Sequence, residues 1–381
     1  MGAGSSQELR GPVDHAGQGG PFADGPGRPR RGLAGPALES QKGDGGAGTP
    51  LARAVAPGNE STVALHVLRF RRSESESWGL VRDGRIQAIP GSYVTTAEFL
   101  ARGVARARDL AGRPAEASCS PAEVEILSPV TTPCRVICLG ANYRQHMIDV
   151  GMDPDAKTFN MFFTKSSASV APPHTEVRRP AHVRLLDYEI ELALVIGRDV
   201  TVKTEVTREN LHEYVAGITI ANDVSARDIQ IPQTQFFKGK SYRTFCPLGP
   251  YLCLLDRDDA PYLDRLELTL LVNGEVRQHD TTANLVFKPA ETLSELSDFS
   301  DLSPGDVLLT GTPAGCALTV PSPLLARVAG LLPEAKKWEL FKKAQGRSPR
   351  YLKDNDVIRS TIKSPDRHID LGEQVNRVAA R

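Results

Sequence analysis

Two glutamates stand two residues apart inside the aliphatic run Asp187-Tyr188-Glu189-Ile190-Glu191-Leu192-Ala193-Leu194-Val195-Ile196-Gly197. In a β-strand, residues i and i+2 project to one face. Glu189 and Glu191 therefore lie side by side, with Ile190, Leu192, Leu194 and Ile196 packing on the other face. Adjacent carboxylates repel, and holding them beside a core is costly unless a cation offsets the charge. Carboxylate oxygens suit Mg²⁺, Mn²⁺ or Ca²⁺. The plain alternative is a half-exposed strand whose glutamates face water.

A second acidic segment favours the cation. Thr219-Ile220-Ala221-Asn222-Asp223-Val224-Ser225-Ala226-Arg227-Asp228 begins apolar and ends polar, as a strand does where it delivers reactive groups. Asp223 is a natural third oxygen ligand. Arg227 and Gln230 follow at spacings that suit the same cleft. Upstream, Val136 to Tyr143 reads as a buried strand turning through Gly140, and Arg144 to Asp149 follows it. If that segment is helical, His146 and Asp149 share a face at i, i+3 and can hydrogen-bond. A histidine oriented by a carboxylate is a standard general base. The bland reading of that pair is a surface helix carrying an incidental His and Asp.

These segments together resemble the fumarylacetoacetate hydrolase family, from about residue 133 to 315 and again from about 352 to the end. The resemblance rests on motifs standing in the family's order. They are Gly140-x-Asn-Tyr-x-x-His146, Phe163-x-Lys165, Glu189-x-Glu191, Asn222 to Asp228, Gly239-Lys240-Ser241 and Cys246 to Pro250. Val272 to Glu275, Pro304-Gly305-Asp306 and Thr310 to Gly315 complete the set. The resemblance implies that Glu189, Glu191 and Asp223 are metal ligands, usually for Mg²⁺ or Mn²⁺. It implies that His146 is a general base that activates water. Asp149 falls where many members carry a glutamate paired with that histidine, and is one methylene shorter. Lys165 and Lys240 match lysines lining the site. Arg227 and Gln230 match residues that contact substrate carboxylate or enolate oxygens, and Thr312 belongs to a Gly-Thr-Pro loop bordering the substrate.

The implied activity is metal-dependent hydrolysis of a C–C bond in acylpyruvate-type 2,4-dioxo acids. A metal acts there as Lewis acid on the 2-oxo acid, and lysine and arginine supply fixed charge where the enolate develops. Oxaloacetate decarboxylation, and isomerisation or hydration of 2-oxo-dienoic acids in aromatic catabolism, use the same enolate logic. A silent, non-catalytic binding protein is the competitor from another class. The resemblance also implies a homodimer.

Composition narrows the remaining choices. The 381 residues carry no formal net charge, so nothing global points to nucleic acid or an anionic membrane. No apolar run approaches the ~20 residues of a membrane span. Six cysteines without a CxxC pair fit a reducing, cytoplasmic setting without disulfides or zinc. Residues 1–60 hold 15 of the 33 glycines and seven of the 28 prolines. Such a segment cannot bury enough apolar surface to order itself, and is expected to be a disordered tail.

The elements that must position the chemistry follow. The fold class is α+β and strand-dominated, which the resemblance sharpens to a mixed β-roll with a small amino-terminal β module at 62–126. The catalytic domain is placed at 127–375. Hairpins are predicted at Asp83-Gly84 and Asn273-Gly274, and helices over Thr96 to Leu110 and Val286 to Leu296. A helical insertion at about 318–350, broken at Pro333, carries Leu324, Leu325, Val328, Leu331, Leu332, Trp338 and Phe341 at roughly helical spacing. It springs from the Thr310–Gly315 loop and is expected either to pack on the β-roll or a second subunit, or to wall the active site.

Overall fold

The computed structural model describes residues 64–114, 118–319 and 331–380. The expectations for residues 1–60 and for 320–330 of the insertion lie outside the described residues. Strands dominate, in mixed sheets accompanied by a few short helices, as the α+β reading requires. The larger sheet has ten strands and the second has five. Among the described residues no helix is long and apolar enough to cross a membrane.

The centre of the larger sheet is strand Ile190–Ile196, between Val215–Asn222 and Val307–Leu309, both antiparallel to it. Val307–Leu309 continues into Val136–Gly140 in parallel, and Met161–Lys165 closes that edge antiparallel. On the other side Leu65–Arg72 joins through Leu252–Leu254. The strands of the amino-terminal segment thus extend this sheet. The second sheet runs Glu275–Thr281, Glu267–Val272, Val357–Lys363, Asp370–Ala380, Glu176–Arg179.

Both predicted hairpins form as two-residue turns. Arg82 pairs with Arg85, and Val272 with Glu275. Asp83, Gly84, Asn273 and Gly274 all have positive φ, which matches the right-handed twist of the flanking strands. The two predicted helices also form, over Thr96–Ala111 with a π-type turn at its centre and over Pro289–Leu296. The latter starts three residues later than the reading, because Pro289 takes the first helical position, where its missing N–H costs nothing.

The site depends on one alternation. Ile190, Leu192, Leu194 and Ile196 enter the core between the two sheets, with Ile220, Leu268, Leu270 and Ile358. Ala193 and Val195 enter a separate core with Val67, Trp78 and Leu309 on the opposite face. Each aliphatic side chain buried this way contributes about 1.5–3 kcal/mol. A slip by one residue would exchange the faces, so the two cores fix which side Glu189 and Glu191 take. They lie on the Ala193–Val195 side, at the end of the strand where that core gives way to a cleft.

Candidate active site

Three buried carboxylates converge at that strand end. Glu191 is paired in register with Ala221, and the backbone N–H of Asp223 donates to the Glu189 carbonyl at 2.8 Å. Asp223 therefore leaves its strand beside the two glutamates. One oxygen from each of Glu189, Glu191 and Asp223 lies within 4.8 Å of the other two. The three residues that the sequence proposes as ligands are thus brought together.

Cations arrive from three separate elements. Lys165 ends strand Met161–Lys165 and its ammonium contacts Asp223 Oδ1, while also donating to the Phe245 carbonyl at 2.9 Å. Lys240 ends helix Phe236–Lys240. It bridges Asp223 Oδ2, at 2.5 Å, and Glu189 Oε2. That helix lies against Arg227–Gln233 only because Gly239 has no side chain: a Cβ there would stand 2.7 Å from Gln230 Cβ. Arg227 donates through Nε to Asp187 at 2.8 Å, through one terminal nitrogen to Gln230 at 2.8 Å, and through the other to Glu189.

The electrostatics separate the carboxylates. Burial alone would raise the pKa of Glu189, but the charges of Arg227 and Lys240 outweigh it and hold the carboxyl well below the usual range. Glu191 is pushed well above it, by burial first and then by repulsion from Asp223 and Glu189. Its hydrogen bond comes from an uncharged donor, the Gly311 N–H at 2.7 Å. Four carboxylates, those of Asp187, Glu189, Glu191 and Asp223, thus face three cations. Glu191 has no cation of its own among the described residues. This donor set fits a hard divalent cation, which would supply the missing positive charge to an all-oxygen cluster.

Above the cluster opens a cleft of about 270 Å³, lined by Glu189, Glu191, Arg227, Gln230, Lys240, Thr312 and His146. Its outer wall is apolar, with Val150, Met152, Met161, Ile231, Phe236 and Leu318. His146 sits on helix Arg144–Asp149. Asn142 anchors the turn before that helix, donating to the carbonyls of Thr310 and Phe287 at 2.9 and 3.0 Å. Burial, then Arg227 and Lys240, lower the His146 pKa, against the opposing pull of Glu189. Its imidazole is therefore neutral near pH 7. Thr312 donates to the Ile190 carbonyl at 3.0 Å and accepts from Gln278 at 2.9 Å, which fixes the loop to the strand.

Two residues take places other than those expected. Asp149 shares the helix with His146 but does not pair with it. It is exposed and accepts from Gln145 at 2.8 Å. The short side chain bonds instead to its i−4 neighbour, which is exposed on the same helix. Lys165 does not line the cleft: its side chain is fully buried behind Asp223.

Two others were not singled out from sequence. Asp187 is fully buried and accepts from Arg227 and from the N–H groups of Ala317 and Leu318, at 2.7 and 3.1 Å. Its signal was present in the sequence, because it continues the alternation of Glu189 and Glu191 back by two residues, although the structure puts it in the separate short strand Leu186–Asp187. Cys316 lies with Sγ 3.7 Å from Glu189 Oε1, and nothing in its sequence context marks it.

Helix Glu334–Gln345 lies in the second half of the segment read as an insertion. Its Gln345 holds Thr319 through a 2.6 Å bond to the Thr319 carbonyl, one residue beyond the cleft-lining Leu318. None of the helix's own residues lines the cleft.

Comparison with known proteins agrees with this architecture. Residues 135–379 match the family model described as fumarylacetoacetate (FAA) hydrolase C-terminal. The chain is 38% identical over 242 residues to the oxaloacetate tautomerase YisK of Bacillus subtilis, covering 60% of this chain and 78% of that one. It is 39% identical over 195 residues to the human mitochondrial oxaloacetate tautomerase FAHD2A, covering 51% of this chain and 60% of that one. Among solved structures, a fumarylacetoacetate hydrolase from Exiguobacterium antarcticum is 29% identical with a TM-score of 0.62, covering 84% of this chain and 100% of that one. A 5-carboxymethyl-2-hydroxymuconate delta-isomerase from Mycobacterium smegmatis is 26% identical with a TM-score of 0.59, covering 83% and 100%. Because the family match spans residues 135–379, well over half of the sequence, the chain belongs to the fumarylacetoacetate hydrolase family of enzymes.

Proposed function

We propose that this protein interconverts the keto and enol forms of a 2-oxo acid of the oxaloacetate type, with a divalent cation held by Glu189, Glu191 and Asp223. The observation that carries the reading is the cluster of three buried carboxylates, with one of them lacking a cation, at the base of a cleft that also holds a neutral histidine. The relatives named oxaloacetate tautomerases support the substrate class. Mg²⁺ or Mn²⁺, when bound, would act as Lewis acid toward the 2-oxo-carboxylate.

The chain's own residues account for the rest. The Lys240 ammonium is held charged: burial opposes it, but Asp223 and Glu189 keep its pKa above the usual lysine value. It serves as a fixed positive charge near the enolate oxygen, and proton donation falls to another group. Glu189 is too weak a base for a carbon acid. His146 is the neutral base of the described cleft. It takes the proton from carbon 3 of the keto form, the C2–C3 double bond forms, and the imidazolium returns the proton to the oxygen on carbon 2. Lys165 is a positioning residue that holds Asp223. Arg227 orients Glu189 and Gln230 at the wall that receives the substrate carboxylate.

Hydrolysis of acylpyruvates stands as the second reading, favoured by the apolar outer wall of Val150, Met152, Met161, Ile231 and Leu318, which suits an acyl group. Decarboxylation of oxaloacetate is separable in the same assay. The test mixes enol oxaloacetate with the protein and Mg²⁺, follows loss of the enol absorbance, and measures pyruvate from oxaloacetate and from acetylpyruvate. EDTA and Glu191→Gln serve as controls. Accelerated ketonisation lost in both controls supports the tautomerase. Metal-dependent pyruvate from acetylpyruvate, without faster ketonisation, replaces it with the hydrolase. Pyruvate from oxaloacetate alone replaces it with the decarboxylase. A homodimer, expected from the resemblance, is checked by light scattering on the same sample.

A further inference from the structure

His146, Glu189 and Cys316 form a second constellation, distinct in chemistry from the three carboxylates. One donor atom from each lies within 4.8 Å of the other two. Cys316 Sγ and Glu189 Oε1 are 3.7 Å apart. Tetrahedral bonds of about 2.0–2.3 Å place neighbouring donors roughly 3.3–3.8 Å apart. The triad is therefore near the spacing of a tetrahedral ion and needs shifts of about 1 Å or less. The two oxygens of Glu189 have different neighbours: Oε2 contacts Lys240, whereas Oε1 contacts Cys316 and Arg227. Asp187 balances the charge of Arg227. The His146 carbonyl accepts from the Val150 N–H at 3.1 Å, but among the described residues its ring has no hydrogen-bond partner, and it lines the cleft.

We propose that His146, Glu189 and Cys316 form an inhibitory site for a zinc-like divalent cation, with the fourth position open to the cleft. The donor set selects the ion. Thiolate and imidazole favour Zn²⁺, Co²⁺ and Cd²⁺ and are poor ligands for Mg²⁺, which prefers carboxylate and water. Binding breaks the Cys316 S–H bond, forms a metal–sulfur bond and releases one proton to solvent. The buried thiol is otherwise held protonated and inert, its pKa raised by burial and by the nearby Glu189 and Asp187. An ion here occupies the lone pair of His146 and narrows the cleft. The resulting loss of turnover rests on the proton-transfer role assigned to His146 above, whereas binding does not.

The test titrates Co²⁺, then Zn²⁺, into the full-length protein saturated with Mg²⁺. A thiolate-to-cobalt charge-transfer absorption in the near ultraviolet is expected, displaced by Zn²⁺, with release of about one proton per ion. Cys316→Ser should abolish the band and weaken Zn²⁺ at least ~10-fold, and the buried Cys138→Ser control should retain both. X-ray absorption of the zinc-loaded wild type should show one sulfur neighbour at about 2.3 Å, a readout that does not depend on a variant folding. Only oxygen and nitrogen neighbours, a band that survives Cys316→Ser in a folded variant, or a band lost in the folded Cys138→Ser control overturns the proposal. Failure of the enol assay with an intact cobalt band would instead refute the proposed activity and leave this site standing.

Discussion

Asp187 accepts a 2.8 Å hydrogen bond from Nε of Arg227, and both side chains are buried. Through this contact a residue with no cleft-facing surface sets the orientation of one that lines the cleft. The same carboxylate holds the N–H groups of Ala317 and Leu318, so it joins the arginine to the segment leaving the Gly-Thr-Pro loop.

Removing that carboxylate leaves a buried guanidinium undercompensated. Breaking one partner of such a pair costs about 3–5 kcal/mol. Asp187→Ala should therefore lose a large part of its stability in urea denaturation. A loss below ~1 kcal/mol would mean that Arg227 is adequately paired by Glu189 and Gln230 alone.

Glu191 makes the metal-free protein pH-sensitive in a definite direction. Its folded pKa lies above the ordinary 4.5, by burial and by repulsion from Asp223 and Glu189. A carboxyl with a raised folded pKa contributes stability below its unfolded pKa and loses it as pH rises toward the folded value. In EDTA at pH 7, Glu191→Gln should thus melt above wild type, by roughly 2–4 °C for each kcal/mol recovered. The gap should close near pH 4.5. Added Mg²⁺ should raise the melting temperature of wild type but not of the variant. Equal melting in EDTA at pH 7 would contradict the repulsion argument.

His146 and Asp149 should part company under mutation. His146→Ala is expected to lower kcat about 10²–10⁴-fold with Mg²⁺ affinity retained. Asp149→Asn should stay within about twofold, because Asp149 is exposed and bonded to Gln145. The His146 pKa is lowered from 6.5, and the active form is neutral. The acid limb of kcat/KM should therefore fall below pH 6.5, with full activity above it. A limb above 6.5, or an Asp149→Asn variant as impaired as His146→Ala, would restore the expected His–Asp pair.

Gly311 donates its N–H to Glu191 from a backbone with φ of +95°. An added Cβ would meet Asn142 Cβ at 2.8 Å. Gly311→Ala should cost about 1–3 kcal/mol of stability from the left-handed backbone and weaken Mg²⁺ by displacing the loop that orients Glu191. Calorimetric titration that gives wild-type Mg²⁺ affinity would show that the loop does not position the carboxylate.

The chemistry of the cluster was legible in the sequence because it is written in short-range patterns. Glu189 and Glu191 share a face by strand alternation. The aliphatic residues alternating with them fix the opposite face, and Asp223 directly follows the next hydrogen-bonded strand. The Asp-Gly and Asn-Gly turns encode their hairpins through positive φ. None of these requires knowledge of distant partners.

Tertiary structure decided everything that depends on which distant residue arrives first. Lys165 and Lys240 look alike in sequence, yet one is sealed behind Asp223 and the other borders the cleft. Helical spacing offered Asp149 to His146, but solvent and Gln145, one turn back, took it. Asp187 became a buried anchor because Arg227 and the chain after Gly315 converge on it from 40 and about 130 residues away. Cys316 stands beside Glu189 for the same reason. Local periodicity determines the face on which a side chain emerges, whereas the packing of sheets, helices and loops determines what it meets there.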